Sequence, residues 1–155
     1  MKNGRNVAGL RKAWIFTALV LAAAFLTASA AHADKPFQEL VSFTVAWGQA
    51  SNCQAFSIPT GQELTVEFTS VVVEASTTGQ EVTVVLFTSI DSDPESFNVI
   101  PVTKNGAGDT FHGAHVLKAY ADSDLTNSPR LCVSRVNTSA ILTIYGSLVG
   151  TLEAD

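Results

Sequence analysis

Residues 62–73, with the sequence QELTVEFTSVVV, decide the fold class of this chain. Apolar Leu64, Val66 and Phe68 alternate with polar residues, and a period of two is typical of a β-strand that has one buried face. Residues 59–62 (PTGQ) combine a proline and a glycine in the order that a tight turn favours. The stretch therefore predicts a strand that is entered through a turn.

Similar short alternations recur along the chain and are separated by clusters of Gly, Pro, Asn and Asp. The predicted strands cover 37–47, 64–73, 81–90, 97–103, 111–121, 131–136 and 141–152. No segment after residue 33 has helical periodicity. Short strands at intervals of roughly ten residues predict one all-β domain, a β-sandwich of about seven or eight mostly antiparallel strands. Its winding is expected to be jelly-roll-like or immunoglobulin-like.

Three local features refine this interpretation. Trp47 continues the apolar face of the first strand, so we expect its side chain in the core. The polar stretch 48–54 is expected to end that strand. Pro101 predicts an edge or irregular strand at 97–103, because proline cannot donate a hydrogen bond to a neighbouring strand.

The first 33 residues have the three parts of a secretory signal peptide. Four basic residues lie in the first twelve, and residues 13–31 carry no charge. Ala31-His32-Ala33 then forms a small-x-small cleavage site before Asp34, and 28–30 (ASA) is a second candidate. An uncleaved membrane anchor is the alternative, since the uncharged run is about long enough to span a bilayer. The sequence predicts a signal peptide at 1–33, a mature domain at 34–155, and no stable membrane insertion after cleavage.

Removal of the signal peptide makes the chain strongly acidic. Residues 34–155 contain five Lys and Arg against fourteen Asp and Glu, a formal net charge of −9. Such a surface repels phosphate backbones and anionic lipids, so we expect no nucleic-acid partner. The charge selects no particular protein or glycan.

The two cysteines, Cys53 and Cys132, are expected to form a disulfide, because an exported chain matures in an oxidising compartment. The bridge would close a loop of about 80 residues, worth roughly 4 to 5 kcal/mol if it acts on the entropy of the unfolded chain. Two separate buried thiols are the alternative. The chain has no C-x-x-C pair, which disfavours redox catalysis and structural zinc.

Three stretches carry a resemblance to other proteins: 58–70 (IPTGQELTVEFTS), 119–122 (AYAD) and 144–149 (IYGSLV). In this order they resemble a loose group of small exported bacterial proteins with no assigned activity, whose domains look like β-sandwiches. The resemblance covers about two thirds of the predicted mature chain and consists of strand and turn patterns. It implies a fold and a compartment, and it implies no catalytic residues.

Candidate chemistry in the sequence is sparse. His112 and His115 form an H-x-x-H pattern, but on a strand this spacing points the two rings to opposite faces. The acidic loops 91–95 and 122–124 offer carboxylates for calcium, although solvated turn residues are the favoured interpretation. Glu67 is expected to face outward from its strand. We predict no catalytic, cofactor or metal residues, and no cofactor.

The sequence leaves three hypotheses of function. The first is an exported, non-enzymatic module, periplasmic or secreted, that binds or scaffolds an unknown protein or glycan. The second is a small hydrolase or an accessory carbohydrate-binding module, with its site in the loops after Ile90 and Ala121. The third is a structural subunit that assembles by strand pairing. A binding module should expose an aromatic residue or an acidic rim, an enzyme a concave site with a perturbed acid or histidine, and an assembly subunit a long unpaired edge strand.

Overall fold

The computed structural model describes residues 34–89, 96–105, 109–122 and 128–154. The predicted signal peptide and most of the two acidic loops lie outside these ranges. The described residues form nine strands: β1 (Lys35–Val45), β2 (Ser51–Ala55), β3 (Gln62–Ala75), β4 (Val82–Thr88), β5 (Ser96–Ile100), β6 (Val102–Asn105), β7 (Thr110–Asp122), β8 (Arg130–Arg135) and β9 (Leu142–Ala154). Within these ranges no helix is long and apolar enough to cross a membrane.

The strands form two antiparallel sheets that pack face to face as a β-sandwich, which confirms the predicted fold class. The five-stranded sheet has the order β1-β9-β3-β7-β6, and the four-stranded sheet has the order β2-β8-β4-β5. The chain passes from one sheet to the other after β1, β2, β3, β5, β7 and β8. This repeated crossing gives the jelly-roll-like winding, the first of the two that the sequence left open.

The core lies between the sheets and follows the alternation seen in the sequence. Leu142, Ile144 and Leu148 are fully buried along β9, and Leu64 and Val66 are fully buried along β3. Neighbouring residues of opposite parity lie on the outer faces. At about 25 cal/mol for each Å² of apolar surface removed from water, these alternating side chains are the main source of stability.

Two differences from the predicted strands have physical causes. The stretch 48–54 was expected to be a polar end, yet it contains β2, whose five side chains are all exposed and therefore show no alternation. The predicted strand 97–103 is two strands, because the chain changes sheets at Pro101 between β5 and β6. Proline interrupts the ladder there, and β5 and β6 both lie at sheet edges.

The predicted disulfide joins Cys53 and Cys132 across β2 and β8. The two residues lie directly opposite each other. Hydrogen bonds from Phe56 N to Pro129 O and from Arg135 N to Ala50 O fix the pairing on either side of them. Alternation along the ladder then places the cysteines at a non-hydrogen-bonded pair, where side chains of antiparallel strands are closest. The bridge indicates an oxidising, extracytoplasmic compartment.

A buried arginine organises the end of the sandwich where β1 finishes. Arg135 is 6% exposed, and its guanidinium donates to the carbonyls of Gln49 at 2.9 Å, Ala46 at 2.6 Å, Thr138 at 3.4 Å and Ala140. These contacts tie the turn after β1 to the loop before β9. The four hydrogen bonds thus stabilise the conformation of both segments.

The position of Trp47 corrects the prediction that its side chain lies in the core. Its side chain is 72% exposed. Strand β1 ends at Val45, so Trp47 belongs to the following turn and no longer alternates with the core residues. The alternation of buried and exposed residues does not extend beyond the end of a strand, so it predicted burial of Trp47 wrongly.

Candidate functional site

A groove of about 430 Å³ lies on the outer face of the five-stranded sheet. It is at the end of the sandwich opposite Trp47, where β1 begins and β9 finishes. Its lining is predominantly polar and comes from β3, β7, β9 and the residue before β1: Asp34, Glu63, Thr65, Glu67, Lys118, Tyr120, Thr151 and Glu153. We call this feature the acidic groove.

Strand register explains why these residues meet. Thr65 lies opposite Tyr120 on β7 and opposite Thr151 on β9, and Glu63 lies opposite Glu153. Directly opposite side chains on one face of an antiparallel sheet are about 5 Å apart at Cβ. The acidic groove is thus a set of adjacent cross-strand pairs on three neighbouring strands.

Glu67 of β3 belongs to this set by alternation, and a bulge follows directly after it. The register of β3 with both neighbours shifts between Val66 and Phe68. Glu67 is exposed, as its alternation predicted, and its Oε1 accepts a hydrogen bond from the Thr151 hydroxyl at 3.1 Å. Phe68 is half-buried while Thr69 is buried and donates to the Ser147 carbonyl at 2.9 Å. Glu67 and Phe68 therefore both lie on the outer side, and the bulge brings Thr69 to the core side. This corrects the expectation that Phe68 shares the buried face of Leu64 and Val66.

Negative charge dominates the acidic groove. Four of its lining residues are Asp or Glu, and Lys118 is the one cation among them. The Lys118 Nζ lies 5.4 Å from the centre of the Tyr120 ring. A hydrogen bond with Tyr120, and then the charges of Tyr120 and Glu153, raise the pKa of Lys118 above its ordinary value. Lys118 is therefore positively charged at neutral pH and offsets part of the carboxylate charge.

This arrangement can hold a cationic or hydroxyl-rich group, because carboxylates accept several hydrogen bonds and Thr and Tyr hydroxyls can donate or accept. Tyr120 is 43% exposed and adds an aromatic surface, which attracts cations through its ring face. The groove is open to solvent, so each charge contact is screened and modest in strength.

A second depression of about 400 Å³ lies further along the same face, between β3 and β7. His112 lines it beside Val72, its cross-strand partner. His115 lies opposite Thr69 on the same continuous strand, at the opposite parity. The prediction that the H-x-x-H histidines face opposite ways is confirmed. In the described ranges no three His, Cys, Asp or Glu side chains are grouped closely enough to hold a metal ion.

Several sequence-predicted features do not join the acidic groove. Cys53 and Cys132 lie on the four-stranded sheet. The acidic loop 91–95 and residues 123–124 lie outside the described ranges, so their calcium hypothesis stays a prediction. Asp122 is described and is buried, with its amide bonded to the Ser89 carbonyl.

Sequence reasoning missed the acidic groove as a unit. Its residues are spread from Asp34 to Glu153 and become neighbours only through strand register. The available signal was the set of polar residues on the outward parity of three predicted strands, and that signal identifies a site only once the strand order is known.

A scan against models of known protein families found no match, and a search of curated proteins found no relative. The similarity to small exported bacterial proteins therefore remains a resemblance in short sequence stretches. The structure supports its coarser implication, an all-β fold of two sheets.

Proposed function

We propose that this protein is an exported, non-enzymatic binding module that takes a cationic ligand, a basic peptide segment of a partner protein, on the outer face of its five-stranded sheet. The observation that carries the proposal is the acidic groove, in which four carboxylates surround one ammonium and one half-exposed tyrosine. It has the acidic rim expected of a binding module.

The charge of the whole domain supports a basic partner. Residues 34–155 have a formal net charge of −9, so the field around the domain attracts cationic segments and speeds their encounter with the groove. An extended basic peptide can place alternate Lys or Arg side chains near Glu63 and Glu67 of β3, because strand residues repeat on one face every second position, and Glu153 of β9 lies beside Glu63.

The disulfide and the predicted signal peptide support an exported location. An exported module, secreted or held in the periplasm, meets basic segments of envelope proteins outside the reducing cytoplasm. A surface of this charge disfavours nucleic acid as the partner.

The proposal is tested by titrating the purified protein with tetralysine, and separately with a neutral tetrasaccharide, while following backbone amide shifts by NMR. We expect tetralysine to shift the resonances of Thr65, Tyr120 and Thr151. The double variant Glu63→Gln/Glu153→Gln should weaken tetralysine binding by about 5-fold to 10-fold, since each exposed charge pair is worth up to about 1 kcal/mol.

The matched control is Glu74→Gln/Glu81→Gln, which removes two exposed acids at the opposite end of the sandwich. It should leave the affinity for tetralysine nearly unchanged. Equal weakening by both double variants would mean that only net charge attracts the peptide, and the proposal would then be wrong. Binding of the tetrasaccharide without binding of tetralysine would replace the basic peptide with a glycan as the ligand.

A further inference from the structure

Strand β1 is a long edge strand with no covering neighbour among the described strands. It has eleven residues and pairs with β9 alone. Its register with β9 runs without a shift from Lys35 opposite Leu152 to Val45 opposite Leu142. The other three sheet edges are formed by strands of four or five residues, and residues 114–122 of β7, which β6 does not reach, form a shorter stretch without an outer neighbour among the described strands. β1 is therefore the edge with the most backbone available for pairing.

The backbone groups that face this free edge can be assigned. The Thr44 carbonyl accepts a hydrogen bond from the Asn52 side chain at 2.7 Å, and Asn52 belongs to β2 in the other sheet. On the opposite side of β9, the Ser147 carbonyl accepts from Thr69 of β3. The Ser147 carbonyl thus points to β3. Since Ser147 lies opposite Leu40 in an antiparallel pair, the amide and carbonyl of Leu40 point away from β9. The Thr44 carbonyl points the same way, so the backbone groups of the even-numbered β1 residues face the free edge. Gln38, Leu40 and Ser42 therefore present amides and carbonyls to solvent.

From Gln38 to Thr44 this edge has no proline and no bulge. Natural edge strands carry charges, prolines or bulges that block the approach of a second strand. Gln38, Leu40, Ser42 and Thr44 are exposed and uncharged. Leu40 is 71% exposed. Glu39 lies on the opposite face of β1, and its carboxylate accepts a hydrogen bond from the Ser57 amide at 2.8 Å.

From this edge we infer that the protein forms a two-fold symmetric dimer in which β1 pairs with β1 of a second copy, centred on Leu40. Antiparallel pairing about Leu40 places the two Leu40 side chains opposite each other and Gln38 opposite Ser42 of the other copy. Glu39 then lies opposite Val41, so no like charges meet directly. The two five-stranded sheets become one continuous sheet.

The ends of β1 fit this register. Pro36 of one copy would lie opposite Thr44 of the other. Pro36 has no amide hydrogen to donate, and the Thr44 carbonyl that would have received it already accepts from Asn52. The one donor missing from the edge thus falls opposite the one carbonyl known to be satisfied. This match favours a second copy over an unrelated extended peptide.

The dimer is independent of the acidic groove and is tested by sedimentation velocity on protein exported from the full-length chain, with its N-terminus determined by mass spectrometry. We expect a concentration-dependent dimer that strengthens as salt is raised, because each copy carries net negative charge. Leu40→Lys should raise the dissociation constant at least about tenfold, because the two-fold register places the two lysines directly opposite each other.

Val116→Lys is the matched control. Val116 is 79% exposed on the same outer face, but it lies on β7, three strands away from β1 and beyond the residues that β6 pairs. It should leave the dimer intact, and urea unfolding checks that both variants fold. Leu40→Cys should in addition give an intermolecular disulfide under mild oxidation, since opposite residues of a hydrogen-bonded pair have Cα atoms about 5.5 Å apart.

A protein that stays monomeric at high concentration overturns the inference. So does a dimer that resists Leu40→Lys, or one that Val116→Lys weakens equally. The last result would assign association to the outer sheet face or to the stretch of β7 that β6 does not pair.

Discussion

Replacing Arg135 with methionine tests how the Trp47 end of the sandwich is held together. Methionine keeps much of the length and apolar stem of arginine but has no donors. The guanidinium of Arg135 donates to four backbone carbonyls, and the side chain is buried. In the described part of the chain, no carboxylate forms an ion pair with it. The substitution therefore removes hydrogen bonds and a buried charge together.

The expected cost follows from which carbonyls keep another donor. The Ala46 carbonyl still accepts from the Gln49 amide at 3.0 Å, and the Thr138 carbonyl from the Gly48 amide at 2.9 Å. The carbonyls of Gln49 and Ala140 lose their arginine donor, and Ala140 is buried. Two charge-assisted bonds at roughly 1.5 to 3 kcal/mol each, less the desolvation cost that the wild-type arginine bears, give a loss of about 3 kcal/mol.

Urea denaturation followed by tryptophan fluorescence measures this loss, because Trp47 is the single tryptophan after residue 33 and lies in the tethered turn. The slope with urea should stay constant if folding remains two-state. Arg130→Met is the matched control: it removes the same charge from the same strand, where the side chain is only half-buried and the guanidinium lies 5.1 Å from the Phe87 ring, and it should cost less than Arg135→Met. Equal losses in the two variants would refute the role assigned to Arg135.

Two further predictions concern stability. Gly150→Ala should destabilise the protein by about 3 kcal/mol, because a Cβ there would lie 2.1 Å from the Thr65 carbonyl oxygen. Gly61→Ala, whose φ of +70° is unfavourable for alanine but whose Cβ would meet no other atom, should cost only about 1 kcal/mol. Thermal unfolding compares the two variants, and similar losses of stability would contradict the close approach at Gly150. Cys53→Ser/Cys132→Ser should lower the free energy of unfolding by about 2 to 4 kcal/mol and speed amide hydrogen exchange in β2 more than in β4. Unchanged exchange in β2 would show that backbone pairing alone keeps β2 on the sheet.

The strands with one buried face could be predicted from sequence, because apolar and polar residues alternate along them. β3 and β9 are examples, with Leu64 and Ile144 placed correctly in the core. β2 could not be predicted in this way, since a strand whose side chains are all exposed has no alternation to detect. Trp47 was misplaced because parity says nothing about where a strand stops.

The acidic groove depends on information of another kind. Thr65, Tyr120 and Thr151 are distant in sequence and meet through the order β9-β3-β7. Local propensity does not specify which strands become neighbours, so the outward residues could be predicted one by one but not as a group. The disulfide was predictable because the chain has only two cysteines and its first 33 residues predict export.

The placement of the first and last strands has a mechanical consequence. Lys35 lies opposite Leu152, so β1 and β9 are antiparallel neighbours and both ends of the domain leave at one end of the sheet. A force that pulls these ends apart loads the ladder one residue pair at a time, and the two strands unzip at low force. The opening stops at the covalent link between Cys53 and Cys132, which carries the tension and shields everything from β3 to β7. Under tension, therefore, only the residues before Cys53 and after Cys132 can extend.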